Sequence, residues 1–154
     1  MVRLVFLISM VSISGFVLSQ NTVNLTVSIS NIELNKGSVF VGLYGNEANF
    51  KLKSGAIDSV SFIPNKTITN VILKNISVGN YALAVFQDMN NNGKLDIREF
   101  KIPTEPVGIS NYSLSKSKLP PTFKKAQFRL NEDTLIQINI IPLAVDHREI
   151  TNPK

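Results

Sequence analysis

Apolar Val23, Leu25, Val27 and Ile29 alternate with polar Asn24, Thr26, Ser28 and Ser30. A period of two places the apolar side chains on one face, so this run predicts a strand with one buried side. Ser38–Tyr44 predicts a second strand, entered through the turn-like Asn35-Lys36-Gly37, and Ser59–Ile63 a third, stopped by Pro64-Asn65. Lys66–Ile76 alternates imperfectly and breaks at Val78-Gly79-Asn80. Tyr81–Phe86 is the most apolar run of the chain and has the pattern of a strand buried on both faces. Lys125–Leu130 and Thr134–Ile141 read as a closing pair around Asn131-Glu132-Asp133. Helical periodicity is nearly absent, with one turn expected over Glu47–Leu52.

About seven short strands at this spacing predict an all-β fold, a single immunoglobulin-like or prealbumin-like β-sandwich. Lys101–Thr122 holds four of the seven prolines, yet apolar Val107, Ile109, Tyr112 and Leu114 recur in it, so it reads as a long ordered loop. The domain is expected over residues 20–145, with 146–154 as a frayed tail.

The first residues carry a different pattern. One positive charge at Arg3 precedes a run from Leu4 to Leu18 diluted only by small Ser and Gly, and Val17-Leu18-Ser19 suits a cut before Gln20. This is the three-part layout of a secretory signal peptide over 1–19. A retained anchor wants about 20 strongly apolar residues, and three serines and a glycine interrupt this run. An exported protein, periplasmic or extracellular, is therefore expected, with no transmembrane segment in the mature chain.

Composition narrows the chemistry. At 154 residues, 44% of them hydrophobic, the chain suits one globular domain. Zero cysteines exclude disulfides, thiolate metal sites and cysteine nucleophiles, and His147 is the single histidine. Export without cysteines leans toward a bacterial envelope or exterior. Without Arg3 the chain keeps 15 basic and 11 acidic residues, a net charge of +4.

One stretch carries chemistry. Asp88-Met-Asn90-Asn-Asn92-Gly93-Lys94-Leu-Asp96-Ile-Arg-Glu99 fits the twelve-residue calcium-loop pattern at every diagnostic place. Oxygen side chains at the first, third and fifth places converge, and the sixth-place glycine reverses the chain. Lys94 offers its carbonyl, Asp96 binds directly or through water, and Glu99 closes the sphere. The plainer reading is a polar Asn-Asn-Gly hairpin, which does not require acids at the first, ninth and twelfth places. A buried strand leads in and Pro103 follows soon after, so the ion expected is a structural Ca2+ rather than the trigger of an EF-hand helix pair.

The run Gly79–Asp96, continued by Ile102-Pro103-Thr104-Glu105-Pro106-Val-Gly108-Ile-Ser110-Asn111 and Pro120-Pro121-Thr-Phe123-Lys-Lys-Ala126, resembles a family of secreted bacterial proteins, domain of unknown function 2141. The resemblance covers about Leu25 to Ile141 and implies a small exported sandwich domain with no established activity. Gln87 stands where the family often has His, and Lys101 where a Gly usually precedes Ile-Pro. Glu99 rests on loop spacing alone.

Other residues weigh less. Glu105 reads first as a solvated acid in a rigid turn, and second as an outer ligand of the loop. Gly108–Tyr112 reads as loop residues satisfying their own backbone, with a small polar pocket as the alternative. Lys116, Lys118, Lys124, Lys125 and Arg129 form a basic cluster with only Phe123 beside it, too few aromatics for nucleic acid; Phe123 is expected in the core. Asp58, Glu105 and Asp133 are the carboxylates a glycosidase pair would draw on, and nothing in the sequence joins two of them. The expectation is a non-enzymatic binding or structural module of the envelope or exterior. Its partner is undetermined: an envelope polymer, a glycan or another envelope protein. The alternative is a glycan-binding or carbohydrate-active accessory protein using the same loop region.

Overall fold

A computed structural model describes residues 21–98, 102–113 and 120–142. The expected signal peptide and the C-terminal tail with His147 lie outside the described residues. Eight strands and two short helices are present: β1 Thr22–Ser30, β2 Ser38–Tyr44, α1 Glu47–Leu52, β3 Asp58–Phe62, β4 Ile68–Ser77, β5 Gly79–Asp88, β6 Val107–Ile109, α2 Phe123–Ala126, β7 Phe128–Leu130 and β8 Thr134–Asn139. The fold is all-β in two sheets. The smaller has the order β4-β1-β8; the larger runs β3-β2-β5-β6, with β7 also paired to β5.

Both sheets turn their alternating apolar positions toward one core. Leu25, Val27 and Ile29 of β1 are fully buried, and they meet Val39, Val41 and Leu43 of β2 and Leu83 and Val85 of β5. Strand β5 is buried along nearly its whole length because it lies at the centre of the larger sheet and its outer face is also covered. There Tyr44, Phe50, Ala82, Ala84, Ile109 and Ala126 make a second, smaller cluster, against which Phe123 packs as its sequence neighbours suggested. Helix α1 starts where the Asn46 side chain accepts a hydrogen bond from the Asn49 amide at 2.9 Å. It ends at Lys53, whose φ of 52° is left-handed.

Three expectations are corrected. First, β7 and β8 do not pair with each other: β7 joins β5 antiparallel, while β8 runs parallel to β1. The Asp133 carboxylate accepts a hydrogen bond from the Asn24 amide at 2.8 Å, so Asn131–Asp133 is pinned to the irregular start of β1 and carries the chain between sheets. Second, the start of Lys125–Leu130 is helical: Gln127 N–H closes a turn on the Phe123 carbonyl at 2.8 Å, which buries Ala126 completely. Third, the Lys101–Thr122 stretch contains a strand, β6, where a loop was expected. Among the described residues no helix is long and apolar enough to cross a membrane.

Candidate functional site

Strand β5 ends by delivering Asp88, 1% exposed, to the root of the loop. One Asp88 oxygen accepts from the Gly93 amide at 2.7 Å and the other from the Asn92 amide at 3.2 Å. The left-handed Asn91 and Gly93, at φ 57° and 76°, turn the chain back so that these amides point inward. The Asn90 side-chain oxygen Oδ1 accepts from Asn92 N–H at 3.1 Å, and Asn92 Oδ1 accepts from Lys94 N–H at 2.8 Å. Across the loop the Asn90 and Asn92 side-chain amides donate to the Asp96 carboxylate at 2.7 and 3.0 Å. Asp88, Asn90, Asn92 and Asp96 are thus woven into one hydrogen-bonded network. Lys94 is exposed. Glu99 lies outside the described residues.

Glu105 completes the loop from the other side, and this corrects its reading as a solvated acid. It is 4% exposed; one oxygen accepts from the Met89 amide at 2.8 Å and the other from the Asp96 amide at 3.1 Å. Burial pushes its carboxyl pKa up and the charges of Asp88 and Asp96 add to this, while the two backbone hydrogen bonds oppose it. Thr104 N–H donates to the Asp96 carbonyl at 2.9 Å, so Thr104-Glu105 runs as a brace along the loop.

Gln87, marked in the sequence only as a departure from the family pattern, also belongs to this site. It is fully buried, accepts from Glu33 N–H at 3.0 Å and donates to the Glu33 and Lys36 carbonyls at 2.7 Å each. These bonds hold the β1–β2 connection beside the loop root, where Gly37 approaches the Asp88 carbonyl so closely that a Cβ would lie 1.7 Å from that oxygen.

The other candidates are placed apart from the loop. Ser110 Oγ donates to the Ala126 carbonyl at 2.7 Å and accepts from Leu83 N–H at 2.9 Å. Asn111 donates to the Gln127 carbonyl at 2.8 Å, so both serve backbone groups. Asp133 is engaged with Asn24, and Asp58 with the Ser59 amide. Lys124, Lys125 and Arg129 are exposed, while Lys116 and Lys118 lie outside the described residues. Among the described residues no three His, Cys, Asp or Glu side chains gather to hold a metal ion; the loop's remaining donors are amides and carbonyls.

The fold and this loop define a two-sheet β domain carrying a braced, Asx-rich turn at the end of its central strand. Residues 27–137 match the model of a family described as "Uncharacterized protein conserved in bacteria (DUF2141)", and the chain belongs to that family. No curated protein and no solved structure matches the chain.

Proposed function

We propose that this is an exported, non-enzymatic β-sandwich domain, of immunoglobulin-like or prealbumin-like type, whose Asp88–Glu99 loop binds a structural calcium ion. In this reading the domain is a binding or structural module of the envelope or the exterior. The observation that carries it is the convergence of the Asp88, Asn90, Asn92 and Asp96 side chains within one reversed loop. The Asn90 and Asn92 side-chain amides meet at the Asp96 carboxylate, and Asp88 and Asn90 oxygens share the Asn92 amide, which supports placing one ion among them. Calcium would replace these hydrogen bonds with coordination to oxygens, after rotation of the two asparagine amides. Asp88, Asn90, Asn92 and Asp96 would contribute side chains, Lys94 its carbonyl and Glu99 its carboxylate. Few carboxylates face the ion, so the Kd belongs on the order of 10⁻⁴ M.

Thermal unfolding in calcium and in chelator, beside Asp88→Ala, tests this reading. Calcium at a hundredfold its Kd stabilises by about 2.7 kcal/mol, which raises the wild-type Tm by several degrees and leaves the variant unmoved. A wild-type Tm identical in calcium and chelator, with no metal bound after dialysis, would reduce the loop to a turn.

A further inference from the structure

A second site lies on the outer face of the larger sheet. A groove of about 1180 Å³ runs between α1, the strands β2, β5 and β6, and the Leu95–Ile97 end of the loop. Its floor is low because Gly42 and Ala84, partners in the β2–β5 register, have almost no side chain. One step along the same pairing, Phe40 and Phe86 stack at 4.9 Å with planes 7° apart and form an apolar wall. Exposed Leu52 and Ile97 also line it.

The polar groups of this groove share one character. Tyr44 is only 6% exposed, lines the groove, and holds its hydroxyl over Gly42. No hydrogen bond among the described residues engages that hydroxyl. Burial raises its pKa, so it stays a neutral donor. Lys53 Nζ lies 5.9 Å from the centre of the Tyr44 ring and 3.9 Å from that of Phe50, with the Phe50 carbonyl as its acceptor. Among the described residues no carboxylate forms a salt bridge with it. Lys51, Lys53 and Lys94 line the groove against one acid, Glu47, whose carboxylate already accepts from the Phe123 amide at 2.8 Å.

We propose that this groove binds a single-chain carboxylate amphiphile, its head between Tyr44 Oη and Lys53 Nζ and its chain over Gly42 and Ala84 toward Phe40 and Phe86. A hydroxyl on the Tyr44 ring and an ammonium set over that ring suit the two oxygens of a carboxylate. An excess of cations beside an apolar floor selects an anion with an apolar body over a neutral or cationic one. The head site does not rest on calcium, because neither donor belongs to the loop, whose Lys94, Leu95 and Ile97 line another part of the groove.

Calorimetric titration of the full domain with dodecanoate, dodecanol and dodecyltrimethylammonium, each below its micelle concentration, tests it. Dodecanoate is expected to bind at least tenfold more tightly than the cation, with dodecanol between. Tyr44→Phe and Lys53→Met, checked for unchanged circular dichroism, are each expected to weaken dodecanoate about tenfold and leave the cation unaffected. Equal affinity for the three amphiphiles, no binding of dodecanoate, or wild-type affinity in both variants would overturn the proposal. So would self-association of the wild type that blocks dodecanoate, which would assign this face to a second copy of the chain.

Discussion

At the scale of single residues, buried polar groups decide the local structure. Gln87 and Glu105 are both nearly inaccessible, and together they satisfy five backbone groups. Neither role was legible in the sequence. A glutamine at the end of an apolar strand and a glutamate between two prolines carry no periodic signal, and their partners are backbone groups that no residue letter records. Asp88 was legible because its spacing to Asn90, Asn92 and Asp96 is itself the signal. Lys53 is a residue-scale test of burial. Desolvation lowers its pKa from 10.5 to about 8, with Glu47 opposing. The folded state therefore holds this proton less tightly than the unfolded chain. Its charge costs stability in full below pH 8, and the cost fades as pH rises toward 10.5. Lys53→Met, which keeps the stem over Phe50, is expected to stabilise the protein by about 1 kcal/mol at pH 7, allowing for partial exposure of the ammonium. Denaturation curves at pH 7 and pH 10.5 check the sign: the advantage of the variant shrinks at the higher pH, and a constant gap would count against burial as its cause.

Elements whose burial follows a simple period were read well. The alternation of β1 and the apolar run of β5 predicted their positions within a residue or two, since β1 turns its apolar side chains to the shared core and β5 buries apolar side chains on both faces. The misread elements are those whose partners are remote. Strand β6 has three residues and exists because β5 offers it an edge, while β7 and β8 are separated by a turn that resembles a hairpin until Asp133 binds Asn24. The connections into the loop carry a prediction at this scale. Gly37 and Gly93 are both left-handed, at φ 58° and 76°, but a Cβ on Gly37 would meet the Asp88 carbonyl oxygen at 1.7 Å, whereas one on Gly93 meets nothing within 4 Å. Gly93→Ala should cost only the conformational strain, about 1 kcal/mol. Gly37→Ala must also push the β1–β2 connection off β5, at about 3 kcal/mol or more. Urea denaturation of the two variants separates the effects, and equal losses would mean that the close approach at Gly37 is relieved at no cost.

For the whole molecule, the question is whether two sheets of different size unfold as one body. Their shared core argues for it, and a seam between β6 and β8 strengthens the case. Val107 and Ile141 exchange two backbone hydrogen bonds of 3.0 Å, joining the edge of the larger sheet to the segment that leaves the smaller one. Gly108 sits against that seam, where a Cβ would lie 2.4 Å from Ile138 Cγ2 and 3.1 Å from the Asn139 carbonyl. Its backbone is not left-handed, so an alanine there acts through crowding alone. The methyl groups of Ile138 and Ile140 can shift only into a core that is already filled. Gly108→Ala is therefore expected to destabilise the domain by about 1–3 kcal/mol. Because the strained contact spans both sheets, the loss should appear as one cooperative transition at lower denaturant with an unchanged slope. Tyrosine fluorescence and far-ultraviolet circular dichroism follow Tyr44 and Tyr81 on the larger sheet and the backbone of both sheets. Coincident curves from the two probes, shifted together by the variant, mark a single unit. Curves that separate in Gly108→Ala would show that β6 and β8 hold together two sheets able to melt one after the other.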